Sequence, residues 1–138
     1  MKKFLIATVL FVFVFNLNTK AQTTQDKRIR VVAVFAHPDD ADSKMSGTAV
    51  LLAKMGVAVK FVALTNGDAG HYAEGGGVLG QRRRAEAQRA AKKYGIDEYV
   101  VLNNHDGELL PDLNVRMQVI REIRKWNADV VFGLRPND

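Results

Sequence analysis

Residues 29–36 (IRVVAVFA) form a run of apolar positions, Arg30 apart, that is rich in β-branched residues. Such a run suits a strand buried on both faces, as in a parallel sheet. His37 to Ser43 interrupts it with a polar turn that contains Pro38. Lys44 to Met55 then predicts a helix offering Met45, Ala49, Leu52, Ala53 and Met55 to a core, with Gly56 as its stop. Val57 to Thr65 (VAVKFVALT) predicts a second buried strand. Asn66 to Gly80 reads as a long loop punctuated by glycine, and loops of that length usually carry function. Gln81 to Tyr94 is rich in Ala, Arg and Lys and predicts a helix ended by Gly95. Tyr99 to Asn103 predicts a third strand, and Asn104 to Pro111 a polar loop. Asp112 can cap the next helix, where Val119, Ile120, Ile123 and Trp126 share one apolar face. Asp129 to Leu134 (DVVFGL) predicts a fourth strand, followed by Arg135-Pro136-Asn137-Asp138.

Strands alternating with helices predict an α/β fold with a mainly parallel sheet. Ligands of such folds sit beyond the carboxyl ends of the strands. His37-Pro38-Asp39-Asp40 follows the first strand, and Asn66-Gly67-Asp68 with His71 follows the second. Asn104-His105-Asp106 follows the third, and Arg135 to Asp138 the fourth. All three histidines of the chain thereby fall on one edge of the sheet.

The N-terminus has a different character. Lys2 and Lys3 precede an uncharged apolar run from Phe4 to Phe15, and Thr19-Lys20-Ala21 fits a small-x-small cleavage rule. This is the three-part pattern of a secretory signal peptide over residues 1–21, and the apolar run is short for a membrane span, which needs about 20 residues. The expectation is an exported protein, periplasmic or secreted, with no stable membrane anchor. Residues 22–28 read as a flexible lead-in, and 29–138 as the folded domain.

The leader also changes the charge. The chain has a formal net charge of +5, and removing Lys2, Lys3 and Lys20 leaves about +2. A nucleic-acid partner loses its main support at that step. Cysteine is absent, which excludes a disulfide scaffold, a thiolate metal site and a Cys nucleophile.

Several edge residues can carry chemistry. His37 and Asp40 stand three apart across a proline turn, so both can reach one point. A His nitrogen with an Asp oxygen suits a borderline divalent ion such as zinc. Asp39 lies between them and can point toward a metal-activated water as general base. The plainer account is that His37 and Asp40 cap the following helix. The third ligand is open, with His71 and His105 as local candidates. Gly75 to Gly80 matches GxGxxG, but nine residues separate it from its strand, so a dinucleotide site does not follow. A mobile lid is the better account of those glycines. Arg82, Arg83, Arg84 and Arg89 form either a solvated basic face or, for one near the helix start, a reach into the cleft. Asp106 is either a substrate contact or a turn residue before Gly107.

Ala36-His37-Pro38-Asp39-Asp40 after a buried strand resembles the AHPDD motif of the LmbE / PIG-L family of zinc-dependent N-deacetylases. The resemblance continues through Gly47-Thr48, Leu64 to Gly70, Arg83-x-x-Glu86-Ala87, Asn104 to Gly107 and Arg135 to Asp138. It implies a Rossmann-like three-layer fold, a mononuclear zinc, and hydrolysis of an N-acetyl group, usually on an amino sugar. By position, it implies His37 and Asp40 as zinc ligands, Asp39 as the base, and Arg83, Asp106 and Asp68 as substrate-side residues. Two departures stand out. The family usually has Glu after AHPDD, where this chain has Ala41 and then Asp42. The family's third zinc ligand is a His of an HPDH motif shortly beyond the RPxD segment, which implies that this ligand lies past residue 138 and that 29–138 is the N-terminal portion of a longer, complete enzyme. The stretch by itself is expected to have an incomplete zinc site and little activity.

The leading expectation is an exported, zinc-dependent hydrolase acting on an N-acetyl amino sugar. The alternatives are a non-catalytic glycan-binding module on the same fold, and a phosphate-directed domain using Asp39, Asp40 and magnesium. His37 argues against the last, because magnesium prefers oxygen ligands.

Overall fold

The structure is a computed structural model, and it describes residues 28–135. The signal-peptide expectation lies outside the described residues, as does all of the lead-in except Arg28. No helix among the described residues is long and apolar enough to cross a membrane.

Four strands form one parallel sheet: β1 (Arg30–Phe35), β2 (Ala58–Thr65), β3 (Glu98–Asn104) and β4 (Val130–Phe132), in the order β3-β2-β1-β4. The connections are helical: α1 (Asp40–Lys44) with α2 (Ser46–Lys54), then α3 (Gly76–Tyr94), then α4 (Leu113–Trp126). Alternation along the strands divides their side chains between two cores. Val31, Ala33 and Phe35 join Val59, Phe61, Ala63, Tyr99 and Val101 against Ala41, Met45, Ala49, Ala87 and Ala91 of α1–α3. Val32, Ala58 and Val62 face Trp126 and Ile123 of α4 on the other side. Helices therefore cover both faces, giving the three-layer α/β fold that the alternation predicts.

Phe61 is the centre of the first core. It is fully buried and stands edge-on to Phe35 and Tyr99, with ring centroids 5.9 and 5.4 Å away. The second core contains a charge. Lys60 is buried on β2, and its Nζ lies 2.7 Å from Glu122 Oε2 and 3.0 Å from Glu98 Oε2. Pairing of this kind is what makes a buried ammonium tolerable. Trp126 supports the same corner, donating from Nε1 to the Val31 carbonyl at 2.9 Å beneath the Arg30 guanidinium.

Three boundaries differ from the sequence expectation. The first helix starts at Asp40 instead of Lys44 and breaks at Met45, whose φ of −137° separates α1 from α2; Met55 stays exposed. Helix α3 starts at Gly76 instead of Gln81, so Gly76 to Gly80 are helical and do not form a lid. The cause is Leu79, which is fully buried and draws that glycine-rich turn into the core, while the Gly76 amide is held by the Asp68 carbonyl at 2.8 Å. Strand β4 is short and exposed, pairing only with β1 among the described residues. The Asp112 cap and the Gly95 stop are where the sequence puts them: Asp112 Oδ1 accepts from the Val115 amide at 2.8 Å, and Gly95 is left-handed with φ 71°.

Truncating the central ring tests this packing. Phe61→Ala is expected to cost about 3–5 kcal/mol of stability, read from the midpoint shift in urea unfolding.

Candidate functional site

The parallel sheet delivers the segments after β1, β2 and β3 to one edge. The strand order also reverses: β1 feeds α1 on one face, whereas β3 feeds α4 on the other, and β4 is added beside β1. A crevice at such a switch point is where open α/β sheets bind ligands. A cavity of about 230 Å³ lies at this edge, lined by His37, Pro38, Asp39, Gly67, Arg83 and Asp106, with Gly70 at its rim.

The turn after β1 is pinned from two neighbouring strands. Thr65 of β2 holds the Ala36 carbonyl with both its amide (2.8 Å) and its hydroxyl (2.9 Å). The hydroxyl of the buried Tyr99, from β3, donates to the Pro38 carbonyl. Burial raises the Tyr99 phenol far above its usual range, so it remains a donor. Gly67 is left-handed at φ 68°, and a Cβ there would stand 3.2 Å from Pro38 Cδ. The β2 loop can lie this close to the proline turn only without a side chain.

His37 is held at two atoms. Its amide donates to Asp40 Oδ2 at 2.8 Å, and its Nε2 lies 2.9 Å from Asp106 Oδ1. A carboxylate at that distance selects the tautomer with hydrogen on Nε2. The Nδ1 lone pair then faces Asp40 Oδ2 at 3.4 Å. The capping account is met in part: Asp40 Oδ2 satisfies the His37 backbone amide, whereas the cap position itself is held by Asp39, without a side-chain cap bond. Asp39 is solvent-exposed, with Oδ2 3.8 Å from Arg83 Nη1. Arg83 in turn reaches Glu86 Oε2 at 3.4 Å.

Behind His37 lies a second layer. Asp106 is nearly buried, and its amide donates to Asp68 Oδ1 at 3.0 Å. Asp68 Oδ2 also lies 2.6 Å from His105 Nδ1 and accepts from Asn66 Nδ2 at 3.2 Å. The Asp106 amide foremost, with the His105 and Asn66 bonds, holds the Asp68 carboxyl below the usual carboxylate range despite partial desolvation. The same hydrogen bond to Asp68 pushes the His105 imidazole up.

The structure thus brings His37, Asp39, Arg83 and Asp106 onto one cavity, with Asp40 against His37. Asp68 does not line that cavity: it is 7% exposed and supports Asp106 from behind. Neither candidate for a third ligand joins the pair. His105 is committed to Asp68, and His71 accepts the Ala73 and Glu74 amides within its own loop, beside Tyr72. Among the described residues no three His, Cys, Asp or Glu side chains gather to hold an ion. Of the arginines, Arg82 pairs with Glu74 and Arg84 with Asn103, while Arg83 turns into the cleft. Sequence reasoning missed Tyr99, Thr65 and Gly67; the readable signal was a Tyr in a buried strand, whose hydroxyl needs a partner.

Fold and site together define a Rossmann-like three-layer domain with a His–carboxylate cluster at its switch point. The match to known proteins is narrower. The chain belongs to the PIG-L (GlcNAc-PI de-N-acetylase) family, whose model matches residues 32–138. A curated relative, diacetylchitobiose deacetylase of Thermococcus kodakarensis, is 31% identical over 106 residues, covering 75% of this chain and 39% of that protein. This chain therefore spans well under half the length of that relative. The solved N,N'-diacetylchitobiose deacetylase of Pyrococcus horikoshii, in complex with an inhibitor, is 31% identical with a TM-score of 0.70, covering 88% of this chain and 48% of that one. The 4-carboxy-2-hydroxymuconate hydratase of Pseudomonas putida shares the fold at 23% identity, with a TM-score of 0.67 over 75% of this chain and 45% of that one.

Two outcomes test the geometry. Gly67→Ala is expected to lose about 1–2 kcal/mol of stability in urea unfolding, because an L-residue must adopt a left-handed backbone beside Pro38. The His105 ring is expected to titrate above the ordinary 6.5 by NMR, and Asp68→Asn to return it toward that value. Because the folded His105 value is raised, its stabilisation is complete below pH 6.5 and is lost as pH rises through the folded value. Because the Asp68 value is lowered, its share is complete above pH 3.8 and is lost as pH falls through the folded value.

Proposed function

We propose that this domain belongs to an exported, zinc-dependent hydrolase that removes the N-acetyl group from an amino sugar or a related N-acyl glycan. One observation carries the reading: His37 Nδ1 and Asp40 Oδ2 face each other at 3.4 Å while Asp106 occupies the other ring nitrogen. Two electron-rich atoms at this distance repel unless a proton or a metal ion lies between them. The spacing is also about that of two ligands on one tetrahedral zinc with bonds of about 2.0–2.1 Å. A carboxylate on the far nitrogen is the usual support of a metal-bound imidazole. The donor set therefore fits a divalent ion, and its remaining protein ligand is expected outside residues 28–135. When bound, the ion polarises the amide carbonyl and acidifies the attacking water.

The residues divide the remaining work. Asp39, exposed toward the cavity, takes the proton of the attacking water and returns it to the leaving amine. Water and amide become acetate and a free amine. Arg83 holds Asp39 from the side and reaches toward substrate oxygens. Asp106 keeps His37 in its tautomer and offers its carboxylate edge to sugar hydroxyls, and Asp68 holds Asp106 in place. Export rests on the leader pattern of residues 1–21. The family and the deacetylase relatives support the substrate class.

A glycan-binding module without catalysis is the second reading. It is favoured by the missing third ligand among the described residues. The two readings part on metal: sugar affinity indifferent to a chelator favours the module.

Asp39→Ala in the whole protein is expected to keep its metal content and lower turnover of an N-acetyl sugar by about a hundred- to ten-thousand-fold. Zinc content by elemental analysis and acetate release are the readouts. Retained turnover removes Asp39 from the role of base.

A further inference from the structure

The third strand does not run in step with the second. From Ala63 to Thr65 β2 advances two residues, while from Val101 to Asn104, their partners on β3, the chain advances three. The extra residue is a β-bulge, a device that re-aims whatever follows it. Here it decides which side chain reaches His37. In strict pairing Asn103 would stand opposite Thr65, every later residue would stand one place further on, and His105 would come where Asp106 now stands. The His37 ring would then meet an imidazole in place of the carboxylate that sets its tautomer.

Asn104 holds the bulge closed from either side of Thr65. Its carbonyl accepts from the Asn66 amide at 3.0 Å, and its side-chain Nδ2 donates to the Leu64 carbonyl at 2.7 Å. A second grip comes from α4. Asn104 Nδ2 also donates to Gln118 Oε1 at 2.8 Å, and Gln118 Nε2 donates back to Asn104 Oδ1 at 3.1 Å. Both Nδ2 hydrogens and the Oδ1 of Asn104 are thus engaged. A flipped carboxamide would set Oδ1 against the Leu64 carbonyl, two acceptors in contact. Neither Asn104 nor Gln118 lines the reacting cavity. The two residues just beyond the bulge carry the site: His105 Nδ1 meets Asp68 Oδ2, while Asp106 donates its amide to Asp68 Oδ1 and turns its carboxylate to His37 Nε2.

We propose that Asn104, locked by Gln118, is a positioning residue for the reacting cavity: the closed bulge delivers Asp106 to His37 and Asp68, and the amide pair couples α4 to the site. The inference rests on the deacetylase reading for the turnover it affects, and adds how the third strand is set for it.

The test uses three variants of the whole protein. Asn104→Asp is nearly isosteric and removes the Nδ2 hydrogens. Gln118→Leu removes the reciprocal pair. Gln118→Glu keeps an acceptor for Asn104 Nδ2. Hydrogen exchange by NMR is read at the Asp106 amide against the Val62 amide in the middle of β2. In Asn104→Asp and Gln118→Leu, exchange at Asp106 is expected to accelerate about tenfold more than at Val62, which separates local release of the bulge from a general loss of stability. The His105 titration is expected to move back toward 6.5 in the same two variants. Acetate release from N-acetylglucosamine and its β-linked disaccharide is expected to fall about ten- to a hundredfold in kcat/KM in both, because small displacements of a positioned group are felt at the reacting atoms. Gln118→Glu is expected to stay near the unmodified protein in every readout. Asp106 exchange and His105 titration unchanged in both Asn104→Asp and Gln118→Leu overturn the positioning role. Equal acceleration at Asp106 and Val62 also overturns it, since a merely structural amide pair gives that result, as does a loss of activity in Gln118→Glu equal to that in Gln118→Leu. Local NMR changes in a protein that releases no acetate before substitution leave the positioning role standing and overturn the deacetylase reading. If Asn104→Asp does not fold, the two Gln118 variants, changed only on the α4 side, decide alone.

Discussion

Burial of β1 and β2 on both faces is the constraint on which everything else depends. Of the fourteen positions in these two strands, eleven are buried, and the rest are half-buried. A strand covered on both sides has no place for an unpaired polar side chain. Lys60 shows what an exception requires: two carboxylates and a tryptophan ring. Polar chemistry is therefore displaced to the first residues beyond the strand ends. Parallel pairing then brings those ends to the same edge, since Phe35 lies opposite Ala63, and Thr65 opposite Asn104. His37, Asn66 and His105 follow within two residues of these positions.

From that edge the site is assembled in layers. Asp40 and Asp106 hold His37, Asp68 holds Asp106, and Asn66 and His105 hold Asp68. Asp68 thereby has a partner on each oxygen, the Asp106 amide on Oδ1 and Asn66 Nδ2 with His105 Nδ1 on Oδ2. The backbone beneath is tied independently, through the Ala36 carbonyl to Thr65 and the Pro38 carbonyl to Tyr99. Side-chain and main-chain restraints together leave Asp39 as the exposed acidic member of the proline turn. An exposed carboxylate among fixed ones is suited to proton transfer, since its motion costs no neighbour its hydrogen bond.

The sequence made the order of elements legible because the strand runs are long and both-sides apolar. It made the first turn of the site legible because AHPDD puts donors at fixed local spacing. Two kinds of information were not local. The start of α3 depended on where Leu79 could be buried, which is a property of the assembled core; the glycines around it predicted a loop. The role of Asp68 depended on the β2–β3 register, which places the Asp106 amide against it and keeps it out of the cavity. His105 was legible as an edge residue, but its partner was not, because strand spacing does not reveal which way a loop imidazole turns.

The fold itself does not choose the reaction. A deacetylase and a hydratase overlay on this chain with TM-scores of 0.70 and 0.67, a difference too small to carry chemistry. Addition of water to a carbon–carbon double bond and attack of water on an amide both need a positioned base. Each also needs a proton delivered, to carbon in the first and to the departing nitrogen in the second. On the proposed reading Asp39 serves both steps, since it is exposed toward the cavity with Arg83 Nη1 3.8 Å from its Oδ2.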